Sequence, residues 1–354
     1  MLLKKKKLWL VIPAVLSLIF LAACGGGGGT SSGDNSQTSG DSNKQSYVLK
    51  LGHVGPADAE HPWEKFALEF ASQIESRTNG QVKVNTYPAS QLGADREMTE
   101  ALQQGTLEMG LISTIAMGNF VPEFQVWDLP YIFPTDNAKV DAILDGAMGE
   151  KLTEKAKEKG LVVLAYWEND WRGMSNSKRP IESVEDMKGL KMRVVENKPS
   201  MDWFSRIGSI PTPMAFSEVY SALQQGTIDG QDNGYLLTYG SKLHEVQPYY
   251  TLTKHIYAPL AVVVSAQTWE QLPDEIKEEM RALAKELAPQ QRSYSRQVAE
   301  EYKTKMQEAG VQISELSEEA IRGFQESAQG TYDALAQDID KSLIDEMLSY
   351  RDGN

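Results

Sequence analysis

From Tyr47 onward the sequence switches repeatedly between two hydrophobic periods, and this constrains the fold more than any other feature. Tyr47-Val48-Leu49-Lys50-Leu51 has the character of a strand. Trp63, Phe66, Phe70 and Ile74 then recur at three- and four-residue spacing from Pro62 to about Thr78, the period of one helix face. Asn79-Gly80 supplies that helix with a stop. Val82 to Tyr87 alternates again as a strand. Met98 to Gln104 reads as helix ending at Gly105, and Met109 to Ile112 resumes as strand. Leu161 to Tyr166, Leu190 to Val195 and Ala261 to Ser265 are further strands. Short strands interleaved with amphipathic helices predict an α/β protein with largely parallel sheets.

One segment occurs twice. Ala101-Leu102-Gln103-Gln104-Gly105-Thr106-Leu107-Glu108 returns as Ala222-Leu223-Gln224-Gln225-Gly226-Thr227-Ile228-Asp229. Each copy reads as the end of a helix, a glycine free to turn left-handed, and an apolar strand. Either two such joints resemble each other by chance, since glycine is frequent at that place, or the two halves share one topology, as two lobes facing a cleft would. After Leu272-Pro273 the pattern changes. Asp274 to about Met306 is charged, poor in β-branched residues and helical in period, with Pro289 inside it. The tail from Glu315 also reads as helix. Long helices after two α/β units would serve as struts that join or back the lobes.

The N-terminus speaks to compartment. Lys4 to Lys7 precede an uncharged apolar run from Leu8 to Ala23. At ~1.5 Å per residue that run falls short of the ~30 Å hydrocarbon core, so it suits a signal peptide better than a permanent span. Its end, Leu21-Ala22-Ala23-Cys24, has the form of a bacterial lipoprotein cleavage box, with Cys24 offering the thiol for lipid. Residues 1–23 are thus expected to be a lipoprotein signal peptide. Cys24 is the single cysteine, so an internal disulfide and a thiol-based catalytic site are both excluded. Residues 24–46 are mostly Gly, Ser, Thr, Asn, Asp and Gln, a composition that cannot offset its ordering entropy and predicts a flexible tether. The chain from Tyr47 onward is long enough for two packed cores.

The formal charge of −14, more negative still without Lys4 to Lys7, argues against nucleic acid and against docking on an anionic surface. Catalytic signatures are missing. His53, His61, His244 and His255 include no pair at zinc-helix spacing, and neither a Gly-x-Ser-x-Gly elbow nor a phosphate-binding Gly-x-x-x-x-Gly-Lys occurs. Asp229 to Gly234 lacks the spacing and the closing glutamate of a calcium loop. Glu168 and Asp170 read as ordinary surface or hinge carboxylates rather than a glycosidase pair. No catalytic residue, metal or cofactor is expected.

The positive signals lie between Tyr166 and Asn233. Trp167-Glu168-Asn169-Asp170-Trp171-Arg172 follows a strand, at the edge where open α/β sheets bind ligands. Arg193 sits within Leu190-Lys191-Met192-Arg193-Val194-Val195, whose apolar neighbours imply burial. A buried cation needs a partner, here either one of the protein's own acids or a ligand carboxylate, which a guanidinium fork grips bidentately.

At these residues the sequence resembles the solute-binding proteins of TRAP (tripartite ATP-independent periplasmic) transporters, from about Leu49 to about Leu316. The likeness is carried by Ser90-Gln91-Leu92-Gly93 with Arg96-Glu97-Met98, and by Asn176-Ser177-Lys178-Arg179-Pro180-Ile181. Asp186 to Val194 and Pro211 to Tyr220 follow in the same order and spacing. The resemblance implies a two-lobed, flytrap-like periplasmic-binding-protein fold with a long bracing helix. We accordingly expect lobe I to comprise 47–169 and 259–298, and lobe II 170–258 and 299–354. It maps the family's carboxylate-pairing arginine onto Arg193, a second arginine onto Arg172, an asparagine onto Asn233 and a phenylalanine onto Phe216. The turn here reads Gly230-Gln231-Asp232-Asn233-Gly234, with Asp where Glu is usual and Gly where Pro often follows. Asp95, Ser113 and His53 fall where first-lobe residues of the family meet the ligand's far end. Trp171, Phe216 and Tyr235 read as either an aromatic wall or plain core.

The expectation is therefore a non-enzymatic, extracytoplasmic protein, lipid-anchored through Cys24 on a surface more Gram-positive than Gram-negative in style. It would bind a small organic acid and hand it to the membrane subunits of a TRAP transporter. Gly52-His53-Val54, His61-Pro62-Trp63 and Trp167-Glu168-Asn169 look most like members associated with sugar acids such as uronates. C4-dicarboxylates are the alternative ligand, and a sensor lobe for a signalling receptor the alternative role.

Overall fold

The structure, a computed structural model, describes residues 45–353. The leader, Cys24 and nearly all of the tether lie outside the described residues. In chain order the strands are β1 (Tyr47–Gly52), β2 (Val82–Tyr87), β3 (Met109–Ser113), β4 (Leu161–Trp171) and β5 (Gly173–Asn176). They continue with β6 (Lys191–Val194), β7 (Ile210–Pro213), β8 (Gly230–Asn233), β9 (Tyr249–Leu252), β10 (Tyr257–Ser265) and β11 (Gln312–Glu315). One sheet has the order β2-β1-β3-β10-β4 and the other β11-β9-β5-β8-β6-β7. With helices packed on both, this is the mixed α/β architecture that the alternating periods predict.

The sheets are less parallel than expected. β10 runs antiparallel between β3 and β4, and β5 runs antiparallel between β8 and β9. The reason is how the chain moves between sheets. β4 leads into β5 with Arg172 alone between them, and β9 returns to β10 through 253–256. The two crossings lie side by side, with Arg172 N donating to Ile256 O at 2.9 Å. Parallel neighbours need a long crossover connection, and strands delivered by direct crossings escape that requirement.

Packing follows the sequence pattern closely in the first sheet. The helix Pro62–Arg77 buries Trp63, Phe66, Phe70 and Ile74. The helix Asp274–Glu308 continues through Pro289, which lies on its exposed face, where a carbonyl without its donor can turn to water. This helix also seals the edge of β4. Gln291 acts as a substitute strand, its Oε1 accepting from Glu168 N at 2.7 Å and its Nε2 donating to Glu168 O at 2.9 Å. The tail is not one helix: Glu315 belongs to β11, and the helices Glu318–Leu335 and Lys341–Asp352 come after it, the second capped by Asp340.

The duplicated segment forms the same joint twice. Gly105 (φ 72°) and Gly226 (φ 71°) are both left-handed. Thr106 N and Thr227 N reach back to Ala101 O and Ala222 O, at 2.9 and 3.0 Å. The two joints feed β3 and β8, one in each sheet.

Of the surface or hinge places expected for Glu168 and Asp170, the surface is ruled out, for both are buried near the end of β4, just before the crossing at Arg172. Glu168 accepts from Tyr257 Oη at 3.0 Å and pairs with Arg296 at 2.7 Å. Asp170 accepts from Trp171 N at 2.7 Å, and burial pushes its carboxyl up to about 7. Gly234 packs against it so closely that a Cβ there would lie 2.3 Å from Asp170 Cβ, which accounts for glycine at this place in the turn.

Candidate functional site

A narrow cavity lies where the two sheets' loops converge, open to solvent on one side. From the second sheet, β6 brings Arg193, β8 brings Asn233, and the helix Phe216–Gln224 begins with Phe216. From the first, β3 ends in Ser113 and the helix Asp95–Gln104 starts at Asp95. Arg172, between β4 and β5, also lines it. Six of the nine expected ligand-site residues therefore converge on one space.

Arg193 is 3 % exposed. Its Nε and Nη2 donate to Met214 O at 3.0 and 2.8 Å, and its guanidinium lies 5.9 Å from the centre of the Phe216 ring. Of the two partners open to it from sequence, none of the protein's own acids is in ion-pair contact among the described residues. Burial therefore pushes its guanidinium down to about 10, against the opposing pull of Asp232.

Arg172 is differently placed. Its Nε donates to Asp232 Oδ2 at 2.7 Å and its Nη2 to Asp232 O. Burial works against ionisation of Asp232, but Arg172 and a hydrogen bond from His255 outweigh it and hold the carboxyl below the usual carboxylate range. Burial lowers the His255 imidazole, against the pull of Asp232; the ring stacks on Trp203 and its Nδ1 lies 2.7 Å from Thr253 Oγ1. Asn233, which also lines the cavity, donates through its side-chain amide to Gln231 Oε1.

On the facing wall, Asp95 Oδ1 accepts from Ser113 N at 3.1 Å. Exclusion of water pushes the Asp95 carboxyl up to about 6, moderated by that bond and by Arg193. Three polar atoms of cavity-lining residues have no hydrogen-bond partner among the described residues: Ser113 Oγ, Asn169 Oδ1 and Trp63 Nε1. Buried groups of that kind are costly unless something satisfies them.

His53, Trp171 and Tyr235 do not line the cavity. His53 is buried behind Trp63, with Nε2 2.8 Å from Glu64 Oε2. Trp171 packs on Tyr257 and donates to Asn137 Oδ1 at 3.4 Å. Tyr235 stacks on Tyr250 in a separate cluster with Val298 and Tyr302. Sequence reasoning in turn missed Asn169, Trp63, and the rim formed by Arg96, Asn119 and Glu196. Arg96 lies 3.4 Å from Glu100 and 3.6 Å from Glu196, and Asn119 donates to Glu196 O. For Asn169 a signal existed in Pro259. Glu168 pairs with Pro259 and Asp170 with Ala258, leaving Asn169 out of the ladder as a bulge. A proline cannot donate to its neighbour strand, and bulges of this kind redirect side chains beside functional sites.

A family model described as bacterial extracellular solute-binding protein, family 7, matches residues 51–338. A solute-binding protein of Verminephrobacter eiseniae is 41% identical over 221 residues, 62% of this chain and 66% of that protein, just under two thirds of its length. The C4-dicarboxylate-binding periplasmic protein DctP of Rhodobacter capsulatus is 36% identical over 303 residues, 84% of this chain and 89% of that one. Among solved structures, the sugar acid binding protein DctPAm of Advenella mimigardefordensis, in complex with galactonate, superposes with a TM-score of 0.84 at 32% identity. That match covers 87% of this chain and 99% of the other.

Proposed function

The chain belongs to the bacterial extracellular solute-binding proteins of family 7, the TRAP family of binding proteins, and from that premise we propose that its ligand is a sugar acid held by Arg193. Proteins of this family act outside the cytoplasm and bind solutes rather than transform them. One observation carries the reading. Arg96 and Arg172 both have ion-pair partners, whereas Arg193, buried and lining the same cavity, has none among the described residues. A carboxylate would supply the missing charge and accept from the free edge of the guanidinium, and exclusion of water strengthens such a pair.

The remainder of the cavity favours hydroxyls over a second carboxylate. Asp95 and Glu196 would repel another anion but accept hydrogen bonds from hydroxyl groups. Ser113 Oγ, Asn169 Oδ1 and Trp63 Nε1 add an uncharged set of donors and acceptors. Arg172 and Asn233 complete the clamp beside Arg193, and Phe216 covers it. His53, Trp171 and Tyr235 act from behind the wall. We read the lobes as 47–169 with 259–298 and 170–258 with 299–354, closing over the ligand about the paired crossings at Arg172 and 253–256.

Residues 1–23 are read as a lipoprotein signal peptide, Cys24 as the lipid attachment point and 24–46 as the tether, on a cell surface of Gram-positive type. The partners are a small organic acid and the membrane subunits of a TRAP transporter. A C4-dicarboxylate is the second reading, favoured by the Rhodobacter relative and by Arg96, which on leaving Glu196 would meet a second carboxylate.

Calorimetry with D-galactonate, D-glucuronate and succinate tests this. Tighter binding of either sugar acid than of succinate, by about tenfold or more, is the expected result. The reverse order installs the dicarboxylate reading, and no heat with any of the three removes both.

A further inference from the structure

Two spaces meet at Phe216. The acid-binding cavity shares this residue and Val54 with a neighbouring open groove, whose other walls include Ser90, Ser217, Tyr220 and Ser241. The ring is half-buried and stands at the first position of its helix, beside Arg193. The groove differs from the cavity in chemistry. None of its lining residues is charged. Tyr220 Oη donates to Glu245 Oε2 at 3.2 Å, while the hydroxyls of Ser90, Ser217 and Ser241 have no hydrogen-bond partner among the described residues. Such a lining suits a neutral polyol and offers a second carboxylate no cation to pair with.

The groove wall is also held in place at a cost. Ala89 (φ 53°) and Ser90 (φ 60°) are consecutive left-handed residues that are not glycine. They are pinned by Ala89 N to Gly55 O at 2.7 Å and Ser90 N to His53 O at 3.0 Å. Strain of this type persists where surrounding structure fixes it and clusters at ligand sites.

We propose that Phe216 sets the length of acid the protein accepts, its ring parting the cavity from a groove that is chemically a subsite for a neutral sugar unit. The inference rests on the reading of the cavity as a sugar-acid site. With the ring present, one acid unit fills the cavity and anything attached to its far carbons meets the phenyl group. With the ring removed, cavity and groove become one space, and a glycosyl unit joined to the acid lies among the serine hydroxyls. Discrimination by a steric wall of this sort acts on the longer ligand more than on the shorter one, so the affinity ratio of the two acids reads it.

The test compares D-gluconate with lactobionate, which is gluconate carrying a neutral galactosyl unit, by calorimetry on the wild-type chain, Phe216→Ala and Phe216→Leu. Wild type should bind gluconate and reject lactobionate. Phe216→Ala should shift the lactobionate-to-gluconate affinity ratio in favour of lactobionate by at least about tenfold, and Phe216→Leu by less. Variants that keep gluconate and still reject lactobionate would overturn the inference while leaving the acid-binding reading intact. Loss of both acids in both variants would overturn it as well, since the ring's part would then be to hold the acid and not to limit its length. Wild type that ignores gluconate, galactonate and glucuronate alike removes the underlying reading, and this inference with it. Wild type that binds lactobionate as tightly as gluconate shows that no partition exists.

Discussion

Replacing Arg193 by methionine separates the cost of this side chain to the empty protein from its value to the ligand. Burial lowers the guanidinium from its ordinary value to about 10, which corresponds to about 3 kcal/mol. A base whose folded value lies below its unfolded one destabilises the fold at every pH below the folded value, so this cost is present in full at pH 7. Methionine removes the charge at similar length. It also strips the donors from Met214 O, leaving a carbonyl whose desolvation costs about 1–3 kcal/mol. The two effects oppose each other and nearly cancel, so the unliganded Tm should stay level or rise by no more than about 5 °C. Binding has no such compensation. A carboxylate buried without its cation costs about 3–5 kcal/mol, equivalent to a Kd raised roughly 150- to 5,000-fold. Scanning calorimetry on the empty protein and titration calorimetry with the best acid of the panel give both numbers. A Kd within about threefold of wild type would refute the clamp. A Tm lowered by more than about 10 °C would instead make Arg193 a structural residue.

Buried polar groups give further expectations. Asp128 Oδ1 has no partner among the described residues, while Oδ2 accepts from Asn197 Nδ2 at 2.7 Å, and burial pushes the carboxyl up to about 7. A carboxyl raised in the fold is lost as a source of stability as pH climbs from its unfolded value to its folded one. Asp128→Asn should therefore gain on wild type by about 4 kcal/mol between pH 4 and pH 7 and stay constant above, measured by urea unfolding. Gln291→Ala leaves Glu168 N and O without partners inside the protein and should cost about 2–6 kcal/mol, read as a lowered Tm; a change under about 1 kcal/mol would show that water replaces the amide. Cys24→Ala should move the protein from the membrane fraction to the soluble one and abolish labelling with a radiolabelled or alkyne fatty acid. Unchanged fractionation would remove the lipid anchor.

Local chemistry was legible where one element decides its own fate. The helix Pro62–Arg77 and its stop need only an apolar stripe and a left-handed glycine, and the duplicated joint needs only Gly105 and Gly226. Arg193 was legible because a cation in an apolar strand has few options. Trp171 and Tyr235 were not, although Phe216 was. Trp167, Asn169 and Trp171 share a face if β4 alternates without interruption, but the bulge at Asn169 shifts the phase. Asn169 then lines the cavity while Trp171 packs on Tyr257. The cause is Pro259 on a strand far away in sequence. Glu168 and Asp170 looked like surface or hinge acids for a similar reason, since what buries them is the helix Asp274–Glu308 and the strand β10. The Arg96–Glu196 rim joins two segments whose neighbourhood only the assembled sheets create.

The place of β10 has a consequence for how this chain matures. It is synthesised long after β3 and β4, yet it lies between them and hydrogen-bonds to both. Until residues 257–265 arrive, those two strands cannot be joined, and each presents an open edge of the kind that recruits stray partners. A polypeptide delivered across a membrane from its N-terminus passes through that interval in every molecule. Truncations ending before Tyr257 should therefore aggregate, whereas those that retain β10 and the helix Asp274–Glu308 should yield a closed first sheet. Completion of the sheet is thus a late event, set by the order in which the chain emerges rather than by the strength of any single contact.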